Sequence, residues 1–256
     1  MADKVNVYSL AGKKKKSVEL PDAFSVPFRP DLIRKAVNVV RSNRRQPYGS
    51  NPMAGMRHSV STWGKGRGVS RVQRLKGSST AAESPNNVGG RRAHPPRSYK
   101  VLTEKMNRKE MKLARLSSLS ATGDREIVRN RGHKFSDKLT LPVIVEDKVE
   151  ELQSTKDAIE LLRKLGMYDD IERALARKHI RAGRGKMRGR KYKRAKSILV
   201  VVSEREKALK AFRNLEGVDV ATPKNLNVEM LAPGGDPGRL VLMSEKALKE
   251  IGEWNL

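Results

Sequence analysis

The sequence predicts an α/β fold: three layers, with a mainly parallel sheet of four to five strands flanked by helices, and a long extended basic loop interrupting them. Three observations lead there. Ile198-Leu199-Val200-Val201-Val202 is a continuous, mostly β-branched run of the kind buried on both faces of a parallel sheet. Strand-like runs alternate with helical patterns around it, which implies right-handed crossovers with helices on both faces. Between Val40 and Leu102, by contrast, Leu75 is the only Leu, Ile or Phe. That stretch buries too little apolar area to offset its ordering entropy, so alone it is expected to be disordered or extended.

Taken in order, residues 4–10 read as a first strand with Val5 and Val7 facing a core, and Val18 and Leu20 are placed to pair back before Pro21. Pro30-Asp31 opens a helix whose Leu32, Ile33, Ala36, Val37 and Val40 share one face. After the Gly-, Ser-, Asn- and Arg-rich stretch, Leu102–Ala121 reads as a helix, and Pro142–Val145 as a short buried strand. Residues 155–165 and about 168–178 read as helices, and 181–194 break all periodicity. Glu204–Asn214 and Asn225–Leu231 are expected as helices, with Val218–Ala221 and Leu240–Met243 as strands. Pro233–Gly238 is a turn cluster. Ser244 is the N-cap of a last helix to Glu250.

The charge is unusual. Over 256 residues there are 55 Lys and Arg against 28 Asp and Glu, a net charge of +27. Apolar residues make up 37%, below the roughly 45–50% usual in globular domains on a slightly different residue count. Residues 41–100 hold 13 basic side chains against Glu83 alone, and 171–196 hold 12 against Glu172 alone. The rest of the chain is nearly neutral. Segments so charged repel themselves without counterions. A polyanion partner is therefore expected, and an ordinary metabolic-enzyme surface is not. An anionic membrane is the competing polyanion, but neither segment has the apolar face of an interfacial helix. No apolar run is long enough to span a bilayer, and MADKVNVYSL lacks the layout of a signal peptide. With no cysteine, disulfides, a thiolate zinc site and a cysteine nucleophile are excluded. The expectation is a soluble, intracellular nucleic-acid-binding protein. Its α/β body spans 1–44 and 98–256, its inserted arm 45–97, and a second basic loop within the body 179–196.

An α/β body invites an enzymatic reading, which the motifs do not support. Gly64-Lys65-Gly66-Arg67-Gly68 lacks the spacing of a dinucleotide fingerprint and follows no strand. Gly185-Lys186 is followed by Met187, where a phosphate loop needs Ser or Thr. His58, His94, His133 and His179 are widely separated and lie beside or near Arg or Lys, which disfavours cation binding. Exposure or RNA contact is expected of all four. Asp169-Asp170 at a helix start reads as dipole complementarity rather than a general acid–base pair. No cofactor, metal site or catalytic residue is predicted.

What the basic segments do offer is phosphate and base recognition. Guanidinium groups match phosphate oxygens and stack on bases. In the arm the candidates are Arg44, Arg45, Arg57, Lys65, Arg67, Arg71, Arg74, Lys76, Arg91, Arg92 and His94, with glycines interleaved. Trp63 has no core to join there and suits base or ribose stacking, and Tyr48 is a weaker candidate of the same kind. In the second loop the candidates are Arg181, Arg184, Lys186, Arg188, Arg190 and Lys191.

Several long motifs then carry a resemblance. Arg45-Gln46-Pro47-Tyr48-Gly49, Trp63-Gly64-Lys65-Gly66-Arg67-Gly68-Val69 and Gly89-Gly90-Arg91-Arg92-Ala93-His94-Pro95-Pro96 resemble the start, middle and end of the arm of universal large-subunit ribosomal protein four, in its archaeal and eukaryotic branch. Tyr168–Arg173 followed by Ile180–Arg190 is similar to the family's second basic loop. Asn225-Leu226-Asn227, Leu231–Gly234 and Pro237–Leu240 are similar to its C-terminal part. The likeness covers almost the whole chain, and the end near Leu256 makes the archaeal form the expected one. The resemblance implies a structural protein of the large subunit in the cytoplasm. It implies binding to large-subunit rRNA early in assembly, contact with neighbouring ribosomal proteins, and a loop that helps form the nascent-peptide exit tunnel. An rRNA-modifying or RNA-processing enzyme on an α/β scaffold is the alternative.

Overall fold

The computed structural model describes residues 4–254, which divide into two units, 4–40 with 105–254 and 41–104. In chain order the elements are β1 Lys4–Tyr8, β2 Lys14–Glu19, α1 Pro30–Asn43, β3 Val60–Ser61, β4 Arg74–Leu75, α2 Arg108–Ser120, α3 Arg125–Asn130 and β5 Val143–Val145. There follow α4 Thr155–Lys164, α5 Tyr168–Ala176, β6 His179–Ile180, β7 Tyr192–Lys193, β8 Leu199–Val201, α6 Arg205–Phe212, β9 Asp219–Ala221, α7 Val228–Leu231, β10 Val241–Ser244 and α8 Glu245–Gly252.

The first unit is built on a six-stranded sheet of order β2-β1-β5-β10-β8-β9. Five strands run parallel, in keeping with the four to five expected. β2 adds an antiparallel sixth at one edge, with Val5 opposite Val18. Its sequence, KKKSVE, is mostly exposed, and lysines blunt an edge against further strand pairing.

Alternation along the central strands makes the three layers. Ile198, Val200 and Val202 join Val143, Val145, Leu240 and Leu242 on one face, under Leu161 and Leu162 of α4 and Phe212 of α6. Leu199 and Val201 join Val5, Val7, Ile144, Val241 and Met243 on the other, against Leu116 and Leu119 of α2 and Leu248 and Ile251 of α8. The residues of β8 and β10 are all buried, which is why their runs are continuous rather than alternating. A third cluster joins Ile33, Ala36 and Val37 of α1 to Ala114 and Val228.

Helix starts follow capping chemistry. Ser154 accepts from the Lys156 amide at 3.2 Å, Asn227 from Met230 at 2.9 Å and Ser244 from Ala247 at 3.1 Å.

Two expectations are corrected, and one helix was not expected. The helix expected from Leu102 starts only at Arg108. The Ser42 hydroxyl holds the Leu102 carbonyl at 2.7 Å, and Asn43 Oδ1 accepts from the Glu104 amide at 2.9 Å. The Ser42 bond takes a carbonyl that a helix from Leu102 would offer to the Met106 amide. The helix α3 was unforeseen. It buries Val128 alone and is too short for a period, but Asp124 caps it, accepting from the Glu126 amide at 2.8 Å. The helix expected over Asn225–Leu231 begins at Val228, because Asn227 serves as its cap.

Candidate nucleic-acid interface

The unit 41–104 contains no buried residue. Its order comes from turns and short ladders. Val60 pairs with Leu75 and Ser61 with Arg74. The Lys76 amide reaches the Ser59 carbonyl at 3.2 Å, and the Ala82 amide the Gln73 carbonyl at 3.0 Å. Beyond this ladder, Gly64, Gly66 and Gly68 all take positive φ and have open space around them. That alternation suits a backbone that must lie close to a partner, since L side chains rarely adopt it.

Trp63 joins no core and is 37% exposed. The guanidinium groups of Arg67 and Arg74 lie 5.9 and 5.2 Å from its ring centroid, within cation–π range. Arg74 also donates to the Ser79 carbonyl and the Ser70 hydroxyl, so it is half-buried and holds the arm's own fold. Arg44, Arg45, Arg57, Lys65, Arg67, Arg71, Lys76, Arg92 and His94 are exposed, and Arg91 is half-buried.

In the first unit, residues 177–196 form a second projection. His179 and Ile180 pair with Lys193 and Tyr192, a single 3₁₀ turn covers Arg184–Arg188, and Gly189 at φ +76° closes it. Arg181 does not face outward as a simple cation. Its Nε donates to the Arg190 carbonyl at 3.1 Å, and its amide bonds the Lys191 carbonyl at 2.8 Å, so it clamps the loop. At the base, Lys178 and Arg194 pair with Glu216, and Lys196 with Asp219. Arg184, Lys186, Arg188, Arg190 and Lys191 are exposed and have no acidic partner among the described residues. Charge that the fold has not neutralised is left at the tip.

His133 is a further correction. Exposure or RNA contact was expected of it, but its side chain is 2% exposed and Nδ1 lies 3.0 Å from Asp170 Oδ2. Asp170 also accepts from Arg173 Nε at 2.8 Å and the Lys134 amide at 3.0 Å. Burial works against the Asp170 charge, but the bonds from His133 and Arg173 outweigh it and hold the carboxyl below its ordinary range. Burial also pulls the His133 pKa down, against the raising pull of Asp170. The imidazole is therefore neutral at pH 7, with Nδ1–H donating to the carboxylate. Asp170 is a structural anchor, and only Asp169 is left exposed at the helix start.

Beside this cluster a cleft of about 590 Å³ is lined by Phe28, Asn130, Arg131, Arg177, Lys196 and Asp236, among others. Burial, reinforced by Arg239, lowers the Arg131 pKa to about 10. Arg131 donates to the Pro233 and Pro237 carbonyls at 2.8 and 3.2 Å, so it belongs to the scaffold. Among the described residues no cluster of His, Asp and Glu could hold a metal ion, and no helix is long and apolar enough to cross a membrane.

The model of the ribosomal protein L4/L1 family matches residues 18–254. The chain belongs to that family. A relative from Archaeoglobus fulgidus named "Large ribosomal subunit protein uL4" is 47% identical over 98% of this chain and 99% of its own. Proteins of the same name from Thermoplasma acidophilum and Methanococcoides burtonii are 47% and 49% identical, over 99% and 96% of both chains. The family is the one that the arm and loop motifs implied, and these relatives are archaeal, as expected of this chain. The matches run through the arm, the second loop and the body alike.

Proposed function

We propose that this protein is a structural constituent of the large ribosomal subunit. It binds large-subunit rRNA through the arm at 45–97 and the loop at 179–196, aids early assembly, and contacts neighbouring large-subunit proteins in the cytoplasmic ribosome. The middle of the arm, around residues 55–75, reaches the wall of the nascent-peptide exit tunnel. The protein performs no chemistry of its own. The observation that carries this reading is that the family match spans 41–104, a highly basic stretch without one buried residue. Such a stretch has no reason to persist for the sake of the body's core. The most enzyme-like cluster, His133 with Asp170, is spent on internal bonds.

Sedimentation of a lysate carrying the tagged chain tests the reading. Co-migration with the large subunit, retained through salt that strips loosely held proteins, is expected. A dominant free pool, or turnover on free RNA, would overturn it. The tunnel contact has its own test. An extended chain covers up to ~3.3–3.6 Å per residue, so an arm of this length can reach several tens of ångströms from its roots. Photo-crosslinkers placed from 55 to 75 should capture stalled nascent chains from one short window, and only above a threshold chain length. Crosslinks to rRNA alone at every position would leave only the scaffold role.

A further inference from the structure

The roots of the arm flank an open cavity that neither the sequence motifs nor the family match assigns. The two chain segments are clasped twice. Ser42 and Asn43 bind Leu102 and Glu104, as described above. Further out, the Ser50 amide donates to the Pro96 carbonyl at 3.3 Å. At this second clasp Gly49 lies directly on the returning backbone. A methyl group on it would fall onto the Pro96 carbonyl and 2.8 Å from Arg97 Cα, so no side chain fits.

Near and between the clasps the segments part around about 790 Å³, well inside the range of small-ligand sites. Tyr48, Tyr99, Arg45, Arg92, Arg97 and Lys100 line it, and no acidic side chain does. Tyr48 is 80% exposed and Tyr99 72%. Neither ring is used by a core. The Arg97 guanidinium lies 5.6 Å from the Tyr99 centroid. Pro47, Pro95 and Pro96 stiffen the walls, which lowers the entropy lost when a ligand enters.

From this we infer a binding site for one unstacked nucleotide of RNA, its base on the Tyr48 and Tyr99 rings and its phosphates on the surrounding cations. Tyrosine faces and guanidinium planes are what splayed-out RNA bases stack on, and arginine forks match phosphate. Duplex backbone would use the cations but has no group to place in a cavity. An acidic peptide would leave the two rings unemployed. Gln46 also lines the site and supplies an amide that both donates and accepts, as a base edge requires. The inference rests on the rRNA-binding reading and deepens it.

The test uses the full chain and two RNA hairpins identical except for one bulged 5-iodouridine. The bulged hairpin should bind tighter by about tenfold or more, and photo-crosslinks should map to Tyr48 or Tyr99. The double variant Y48A/Y99A should erase that preference and leave the paired hairpin's affinity unchanged, while Y48F/Y99F keeps both. Both rings are exposed, and matching thermal unfolding curves would confirm that the variants fold. Equal affinity for the two hairpins, or crosslinks elsewhere, would remove the site and leave RNA binding standing. Binding of neither hairpin would overturn the site and the RNA-binding reading together.

Discussion

Arg239 shows how a chain so rich in cations uses one of them as core. Its side chain is fully buried, and its donors reach the Ser197, Met230, Gly217 and Ile198 carbonyls at 2.8, 2.9, 3.1 and 3.3 Å, with Asp219 at 2.7 Å. Five donors in a planar fork can satisfy such a set, and an ammonium cannot. R239A should therefore destabilise the protein by about 3–5 kcal/mol, because it empties a fully buried site and removes the hydrogen bonds to four carbonyls. D219N should cost less, because the four carbonyls still hold the guanidinium. Urea unfolding of the two variants checks that order. His133 gives a pH signature. Its folded pKa is depressed, so the unfolded chain gains a proton as pH falls through about 6.5 while the folded chain does not. Stability is thus fully present above that pH and declines below it. Asp170, also depressed, acts in the same direction only near and below pH 4. Unfolding free energies between pH 7.5 and 5.5 should fall for the wild type and fall less steeply for H133N.

Among the elements, the loop 179–196 separates cations that fold it from cations that project. Arg181 belongs to the first kind; Arg184, Lys186, Arg188 and Arg190 belong to the second. Changing those four to Gln should weaken binding across RNA sequences alike. The slope of log K against log salt should drop by roughly 0.7 for each lost phosphate contact on single strands. An unchanged slope in a salt titration would take these residues out of the interface. The distinction was not visible in the sequence, since Arg181 and Arg184 sit in the same basic run. Elements buried on both faces were legible: Leu199–Val201 of β8 and Val241–Met243 of β10 have no polar positions to confuse their reading. The helix α3 was not, because it offers one buried residue and a cap. His133 was misread because Arg131 and Lys134 flank it in sequence, whereas its partner Asp170 lies 37 residues away. Tyr48 was noticed in the sequence, but only the closing of the arm's roots brings Tyr99 to the same cavity.

At the scale of the whole molecule, the division between folding and binding can be tested by subtraction. Both apolar layers of the sheet are drawn from residues outside 41–104, and within that stretch nothing is buried. Replacing 47–96 with a short Gly/Ser linker removes cations and exposed rings without opening a cavity. Shortening the connection changes the closure entropy by only about 0.6 kcal/mol per halving, in the stabilising direction. Removing a self-repelling basic segment acts in the same direction. The shortened chain should therefore unfold cooperatively, at a melting temperature no lower than that of the full chain, as calorimetry would show. Its RNA affinity should fall, with a flatter salt dependence, because most of the cations of the arm are gone. A lower melting temperature or loss of a single transition would show that the arm supports the sheet. A body that melts normally but binds RNA as tightly as before would instead move the interface to the second loop alone.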